Sequence, residues 1–284
     1  MKINNSTTAE VLMQALPYIK KYQGQILVVK YSSSAIVSDE LKKSAMADLV
    51  LLNQIGIKVV LVHGGGSDLP DTLKKLNMPA EVVDGMIKAD KETVEVVQMV
   101  LAGKVNKELV STLENVGGKA IGISGVDGTM LSTEITNPEQ GYVGEITTVN
   151  ATPILDLLEK GYISVIAPLG KDAEGNILSV NADMAAARIA GELKACSLIS
   201  MTDVAGVLAN PSDESTLLSA INVSEAPYLI KQGVIGGRME QRVNCCIEAI
   251  RRGVKRVFIV DGRVPHSILI EVFSDDGAGT MFFI

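Results

Sequence analysis

The sequence predicts an α/β fold, a three-layer sandwich with a mostly parallel central sheet. Short runs rich in Val, Ile and Leu recur along the chain and are typical of buried parallel strands. Segments of helical period separate these runs, and such alternation places helices on both faces of a sheet. The predicted strands are 26–30, 58–62, 120–123, 163–167, 198–201 and 257–260.

The first predicted element is a helix that precedes the first strand. Thr7 lies three residues before Glu10, which is a capping-box spacing, and apolar residues follow at helical intervals. Pro17 should kink or divide this helix. An amphipathic helix in this place can pack on its own domain or serve as an oligomerisation arm formed by residues 1–24, and the pattern leaves both open.

Two strand ends carry residues suited to an anion. Lys30 closes the first strand, where it either points into the crevice that binds ligands in α/β sheets or is a solvated strand terminus. Gly64, Gly65 and Gly66 follow the second strand and precede a helix. Their bare amides can approach a phosphate at a helix N-terminus, but a tight turn that needs glycine explains them equally well.

Helical period also predicts a long helix from Asp90 to Val116, with Asp90 as N-cap and Gly117 and Gly118 as the stop. The following segment, 130–150, has the pattern of a β-rich excursion with turns, and it could form a lid over the substrate side. Further on, Asp183 precedes a helix of small residues and is expected to be its N-cap.

Composition favours small-molecule chemistry. The net charge of −7 is spread along the chain, so nucleic acid and membrane surfaces are not expected partners. Apolar runs fall short of the roughly 20 residues that span a bilayer, and we expect a cytoplasmic protein. The cysteines, Cys196, Cys245 and Cys246, have neither metal-binding nor disulfide spacing, and the two histidines are too few for a histidine-based metal site.

Several ordered motifs resemble the amino acid kinase family. They are KYSSSAI at Lys30, HGGG at His63, SVNAD at Ser179, MTDVAGVL at Met201 and DGRVPH at Asp261, and the resemblance runs nearly end to end. It implies the fold of that family over 25–284, with an acceptor lobe at about 25–180 and a nucleotide lobe at about 181–284.

The resemblance is strongest to the members that act in arginine biosynthesis. It implies transfer of the γ-phosphoryl group of ATP, bound with Mg²⁺, to the side-chain carboxylate of N-acetyl-L-glutamate, with no covalent intermediate. Lys30 would neutralise the transferring group and Asp183 would hold the flanking cations. The glycines 64–66 would bind phosphate and acceptor, Asn181 belongs to the acceptor motif, and Thr202, Asp203 and Gly206 resemble the nucleotide side.

The chain departs from the family pattern at five positions. Ser32 and Ser33 stand where the family has two glycines, and Ser179 stands for an acceptor-binding asparagine. Arg242 replaces the second catalytic lysine and keeps its positive charge. Ile87 stands where the family has an arginine that pairs with the acceptor's α-carboxylate, so the expected charge-assisted pair is missing.

These departures leave three functions open. The chain is a kinase for N-acetyl-L-glutamate, a kinase for another small acid, or a catalytically weak relative that binds nucleotide or an effector. His266, Glu271 and Gly277 resemble the arginine-sensing part of feedback-inhibited members, which also carry the N-terminal helix, but the same residues could simply close the last strand. The resemblance to those members implies a homo-oligomer, either a dimer or a hexamer.

Overall fold

The computed structural model describes residues 4–33, 38–83, 85–275 and 277–284, leaving aside the side chain of Thr8. Its main feature is an eight-stranded sheet in the order β12-β14-β13-β11-β1-β2-β8-β5. The strands of this sheet are β1 Ile26–Tyr31, β2 Lys58–His63, β5 Ala120–Ser124, β8 Ile163–Ala167, β11 Ser197–Thr202, β12 Ala220–Asn222, β13 Arg256–Asp261 and β14 Gly279–Phe283.

All the predicted strands lie in this sheet and pair in parallel, which confirms the predicted fold class. The sequence did not predict β14, which runs antiparallel to β13 and parallel to β12. Residues before position 181 form the half from β1 to β5, and later residues form the half from β11 to β12. Pairing of β1 with β11 joins the halves into one continuous sheet.

Helices cover both faces of the sheet. One face packs mainly against α6, α7 and α9, and the other mainly against α2, α5 and α10. The helices are α1 Asn5–Tyr22, α2 Asp39–Gln54, α3 Asp68–Lys75, α4 Lys91–Gln98, α5 Asn106–Asn115, α6 Thr152–Glu159, α7 Ala182–Glu192, α8 Ala226–Lys231, α9 Gly237–Arg251 and α10 Ser267–Phe273. Among the described residues, none of these helices has the length and apolarity needed to cross a bilayer.

The two smaller sheets lie beside the main one. A four-stranded sheet has the order β10-β9-β6-β7, formed by β6 Leu131–Glu134, β7 Glu145–Val149, β9 Leu169–Lys171 and β10 Ile177–Ser179. It contains the predicted β-rich excursion, as β6 and β7 pair antiparallel. A short hairpin is formed by β3 Val82–Val83 and β4 Met86–Ile87.

The long helix begins where the sequence predicts. Asp90 accepts a hydrogen bond from the Thr93 N–H at 2.8 Å, and Gly117, with φ of +88°, follows its end. A π-helical segment, Met99–Val105, joins α4 to α5, and the sequence pattern did not predict it. The wider π turn shifts the side chains that follow it around the helix axis.

The first helix differs from its prediction in two ways. It begins at Asn5, because the Asn4 side chain accepts the Thr7 N–H at 2.8 Å, so the capping box that starts at Thr7 is wrong. The helix also continues through Pro17 to Tyr22, so Pro17 does not divide it. It packs at its end against α10, where the Tyr18 hydroxyl donates to Asp275 Oδ1 at 2.8 Å.

Candidate active site

Lys30 lies at the carboxyl end of β1, close to the middle of the main sheet. Alternate residues of a strand face opposite sides, and Val28 packs in the core that contains α7 and α9. Lys30 therefore faces α7 and α9, while Val29 and Tyr31 face the other core. Because this position is central, the side chain of Lys30 is only 8% exposed.

The buried ammonium group has a carboxylate partner. Lys30 Nζ lies 3.0 Å from Asp183 Oδ1, and the Ser200 hydroxyl donates to the same oxygen at 3.2 Å. Ser200 is the cross-strand neighbour of Lys30 in the β1–β11 pair, so the sheet register brings both groups to one carboxylate. This pairing excludes the solvated-terminus interpretation of Lys30, because a buried lysine needs such a partner.

The sequence predicted that Asp183 is the N-cap of its helix, and this prediction is wrong. Asn181 has that role, because its side chain accepts the N–H groups of Asp183 and Met184 at 2.9 and 3.0 Å. Asp183 instead lies in the first turn of α7, where a negative charge is favourable. Since capping is carried out by Asn181, the Asp183 carboxylate is left to bind Lys30.

The glycines 64–66 form the turn between β2 and α3. Gly64 faces the start of α7, since a Cβ there would lie 3.7 Å from the Ala182 Cβ. Gly66 has a φ of +51°, and a Cβ there would lie 1.7 Å from Ser33 Oγ. The N–H groups of Gly65 and Gly66 donate to no residue among those described. Free amides beside a lysine suit the charge and size of a nucleotide's phosphates.

On the predicted nucleotide side, Arg242 and Asp203 form an ion pair. Arg242 Nη2 lies 3.3 Å from Asp203 Oδ1, with the arginine side chain 15% exposed. The Thr202 hydroxyl is used within its own turn, since it donates to the Val204 carbonyl at 2.9 Å. Gly206 approaches Thr280 so closely that a Cβ would lie 2.6 Å from its Oγ1. The turn therefore presents Asp203, and the other two residues shape it.

The predicted acceptor side borders a cavity of about 650 Å³. Asn181 lines it, together with residues of the β6–β7 sheet, α7 and α9, whereas Ile87 and Ser179 do not line it. Ile87 packs against the core that contains α2 and α5, and Ser179 is buried with its N–H bonded to the Tyr142 carbonyl at 2.9 Å. Lys88, the residue after Ile87, also stays outside the lining described for this cavity, and its Nζ lies 3.6 Å from Glu81 Oε2 on the surface.

Sequence reasoning missed Arg188, which lines this cavity from α7. Its guanidinium donates to the carbonyls of Ile146 and Thr147 at 2.5 and 2.9 Å, which fixes it beside the hairpin. Arg188 follows Asn181 and Met184 at helical spacing, so the signal was present in the sequence, but only the site's location gives it meaning. Burial lowers the pKa of Arg188 from its usual value.

The cysteines of α9 are not reactive groups. Cys245 lines the cavity, and burial raises its pKa to about 12, so it is a neutral thiol at physiological pH. Cys246 is buried as well, and burial raises the pKa of its thiol. Both cysteines and Cys196 are free thiols, in agreement with the absence of disulfide spacing.

The residues predicted for an arginine effector fall into two groups. Glu271 is buried and accepts the Ala278 N–H at 2.8 Å, and a Cβ on Gly277 would lie 3.0 Å from its Oε2. Burial raises the pKa of the Glu271 carboxyl. His266 pairs instead with Asp48 of α2, Nδ1 to Oδ1, at 2.6 Å.

Fold and site together define an α/β sandwich that gathers a lysine, an aspartate and a glycine turn at the centre of its sheet. A family model described as "Amino acid kinase family" matches residues 25–261. The chain belongs to the amino acid kinase family.

Curated relatives match over nearly the whole chain. The acetylglutamate kinase of Brachyspira hyodysenteriae (strain ATCC 49526 / WA1) is 49% identical over 99% of this chain and 98% of its own length. The acetylglutamate kinase of Clostridium beijerinckii (strain ATCC 51743 / NCIMB 8052) is 47% identical, over 99% of this chain and 100% of its own.

Solved structures agree on the fold. N-acetylglutamate synthase from Neisseria gonorrhoeae, complexed with coenzyme A and N-acetyl-glutamate, superposes with a TM-score of 0.84 at 25% identity. The match covers 97% of this chain but 63% of the synthase chain. Carbamate kinase from Giardia lamblia bound to AMP-PNP gives a TM-score of 0.69 at 17% identity, over 92% of this chain and 98% of that one, and it supports the fold alone.

Proposed function

We propose that the chain is an ATP-dependent kinase that phosphorylates the side-chain carboxylate of N-acetyl-L-glutamate, a step of arginine biosynthesis in the cytoplasm. The observation that carries this proposal is the pairing of Lys30 with Asp183 beside free glycine amides. Near-complete coverage of relatives named acetylglutamate kinase supports the choice of acceptor.

The proposed chemistry needs positioned positive charge rather than a nucleophile of the protein. ATP, bound with Mg²⁺, supplies the phosphoryl group. The Lys30 ammonium neutralises charge on that group, and its pairing with Asp183 holds it in place. The N–H groups of Gly65 and Gly66 bind phosphate oxygens, and Arg242, oriented by Asp203, adds positive charge from α9.

For the acceptor, we propose the cavity beside Asn181. Arg188 is the one cation among the described residues that line it, and only one hydrogen on each of its terminal nitrogens is used by the carbonyls of Ile146 and Thr147. Arg188 can therefore donate to an α-carboxylate, which compensates for Ile87 in the position of the family's arginine. The hairpin of β6 and β7 would act as the lid, since its residues line the same cavity.

The test is formation of an acyl phosphate from ATP, Mg²⁺ and N-acetyl-L-glutamate, trapped with hydroxylamine. Lys30→Met is the control, because methionine keeps the aliphatic length without the charge. Turnover that exceeds the control supports the proposal, whereas turnover equal to it refutes it. A panel of other small acids separates the alternatives, since turnover of another acid reassigns the acceptor and nucleotide binding without any turnover indicates a binding protein.

We further propose a homo-oligomer formed through α1. Apolar side chains of this helix are exposed in the single chain, with Leu12 at 66% and Met13 at 65%. Light scattering on the wild type and on a Leu12→Glu variant tests this, and identical masses would refute it. A cavity of about 690 Å³ between α1 and the end of α10, lined by Tyr18, Lys21 and Asp275 among others, is the proposed arginine site, which a shift of the melting temperature by arginine would support.

A further inference from the structure

His63 has an unusual environment for a histidine beside a phosphate turn. The side chain is completely buried at the end of β2, directly before Gly64. Its Nδ1 lies 3.1 Å from the Gly64 carbonyl oxygen, and its Nε2 lies 3.2 Å from Asn106 Nδ2. Burial lowers the pKa of His63 to about 4, so one of the two ring nitrogens carries a proton at neutral pH.

Asn106 decides which ring nitrogen carries that proton. Its amide nitrogen faces two acceptors, the carbonyls of Val165 at 3.1 Å and Ile123 at 3.3 Å, and its amide oxygen faces the Lys107 ammonium at 3.0 Å. The amide therefore has a single orientation that satisfies all three groups. Nε2 of His63 is then the third group beside the Asn106 NH₂, whose two hydrogens are shared among three acceptors. Because an amide NH₂ cannot accept a hydrogen bond, Nε2 is the acceptor and Nδ1 carries the proton.

The protonated Nδ1 then donates to the Gly64 carbonyl. A trans peptide is planar with its C=O and N–H on opposite sides, so a Gly64 carbonyl held against His63 turns the Gly65 N–H the other way. This N–H is one of the two glycine amides that donate to no described residue. The orientation of a phosphate-binding amide thus depends on a chain of two hydrogen bonds that begins at Asn106.

The backbone around Asn106 is built to bring its side chain to the sheet. The Asn106 N–H donates to the Leu101 carbonyl, five residues back, which completes the π-helical segment before it. Such segments are rare and are retained mostly at functional positions. Gly122 leaves the space that the amide occupies, because a Cβ there would lie 1.9 Å from Asn106 Oδ1.

We infer that Asn106 is a positioning residue, which acts through the Nδ1-protonated ring of His63 to orient the Gly65 N–H toward the transferring phosphoryl group. The inference rests on the proposed function for its catalytic consequence. Its structural part, the location of the ring proton, is independent of any substrate. Lys107 is the charged group that faces this amide, and its ammonium also donates to the Gly122 carbonyl at 2.8 Å.

The first experiment locates the ring proton by ¹⁵N chemical shifts. The chain has only two histidines, so a His266→Gln variant assigns both rings. His63 should be neutral with the proton on Nδ1 between about pH 5.5 and 8. A proton on Nε2 in the wild type, or titration of this ring within that range, overturns the inference.

The second experiment removes the hydrogen-bond donor with Asn106→Leu. The ring proton should redistribute toward Nε2 and kcat should fall about 10- to 100-fold, the scale expected for a misplaced backbone donor, with KM for ATP changed less than about threefold. Asn115→Leu, on the exposed end of the same helix, is the matched control and should change neither. Unchanged kcat in a folded Asn106→Leu protein overturns the inference.

If Asn106→Leu does not fold, Asn106→Asp serves as the second variant. An aspartate can only accept a hydrogen bond from the ring, so Nε2 should become protonated and kcat should fall, and an unprotonated Nε2 would contradict the linkage. Absence of turnover by the wild type refutes the proposed function instead, and the ring-proton result still decides the linkage from Asn106 to Gly64.

Discussion

Gly66 and Ser33 lie so close together that a side chain at position 66 is excluded. Alanine there should reduce the free energy of unfolding for two reasons. A φ of +51° is a left-handed conformation that costs a non-glycine residue about 1–2 kcal/mol. The new Cβ would also lie 1.7 Å from Ser33 Oγ and 2.9 Å from Ser33 Cβ, and relief of such an overlap costs about 1–3 kcal/mol. Gly66→Ala should therefore destabilise by about 2–5 kcal/mol.

Ser33→Gly should remove the second of these costs. Both overlapping atoms belong to the serine side chain, and the Ser33 Cα, at 3.8 Å, is in ordinary contact. In the Ser33→Gly background the loss from Gly66→Ala should thus fall to the strain of about 1–2 kcal/mol. Ser33→Gly alone should be nearly neutral, because its buried Oγ has no hydrogen-bond partner among the described residues, and the gain offsets glycine's flexibility in the unfolded chain.

Urea unfolding followed by circular dichroism measures the four proteins of this cycle. Gly175→Ala, in both backgrounds, is the matched control, since Gly175 has a φ of +91° and nothing near its Cβ position. The coupling energy should be about 1–3 kcal/mol for Gly66 and close to zero for Gly175. Additivity of Ser33→Gly and Gly66→Ala within about 0.5 kcal/mol would refute the contact.

Three further predictions concern charged and buried groups. Lys30→Met should reduce turnover at least about 100-fold and destabilise the protein by about 2–4 kcal/mol, because the mostly buried Asp183 loses its partner. Adding Asp183→Asn should restore stability but not turnover, and calorimetry that shows no recovery of stability would contradict the pairing. His63 is protonated below about pH 6.5 in the unfolded chain but only below about pH 4 in the folded protein, because burial lowers its pKa. Its contribution of about 3 kcal/mol to the free energy of unfolding should therefore be present above pH 6.5 and lost as the pH falls to 4. Unfolding measured at several pH values should show a flatter profile for His63→Gln, and parallel profiles would contradict this prediction. Arg188→Met should raise KM for the acceptor about 10- to 100-fold and leave KM for ATP unchanged, because Arg188 lines the acceptor cavity. The control Arg251→Met, on the exposed end of α9, should alter neither KM. Equal effects of Arg188→Met on both substrates would exclude Arg188 as the acceptor's cation.

Most of the central sheet could be predicted from sequence because six of its strands, from β13 to β5 in the sheet order, are short and mainly apolar runs. Parallel strands end at one edge, so a lysine after one run and glycines after the next could be expected near each other. β12, at one edge of the sheet, and β14 beside it were missed, because neither contains a run rich in Val, Ile and Leu. The long helix was predicted with both its ends, because Asp90 and Gly117 are local signals that need no knowledge of tertiary structure.

Other features depend on where elements meet, which no local pattern shows. Asn181 and Asp183 are both good N-caps by type, and only the position of Lys30 explains why Asn181 caps the helix and Asp183 faces the site. Arg188 appears as one more charged residue on a helix until the cavity beside it is known. Asn106 reaches His63 through a π-helical segment, and the apolar periodicity of that helix gives no sign of the shift.

The two halves of the candidate site are supported by different kinds of structure. Lys30 and Ser200 are held by the register of two central strands, and Asp183 by a helix packed on them, so a change in any of these disturbs the main core. Under the proposed function, the acceptor side is the cavity lined by Met86 of β4, by the β6–β7 hairpin and by α7 and α9. Ile146 and Cys245 of this lining also belong to the core, whereas Arg188 does not. Arg188 faces this cavity from α7, so its side chain can be replaced without repacking the sheet. Under the proposed function, the Lys30–Asp183 pair is therefore constrained by folding as well as by chemistry, which is why its loss should reduce both stability and turnover.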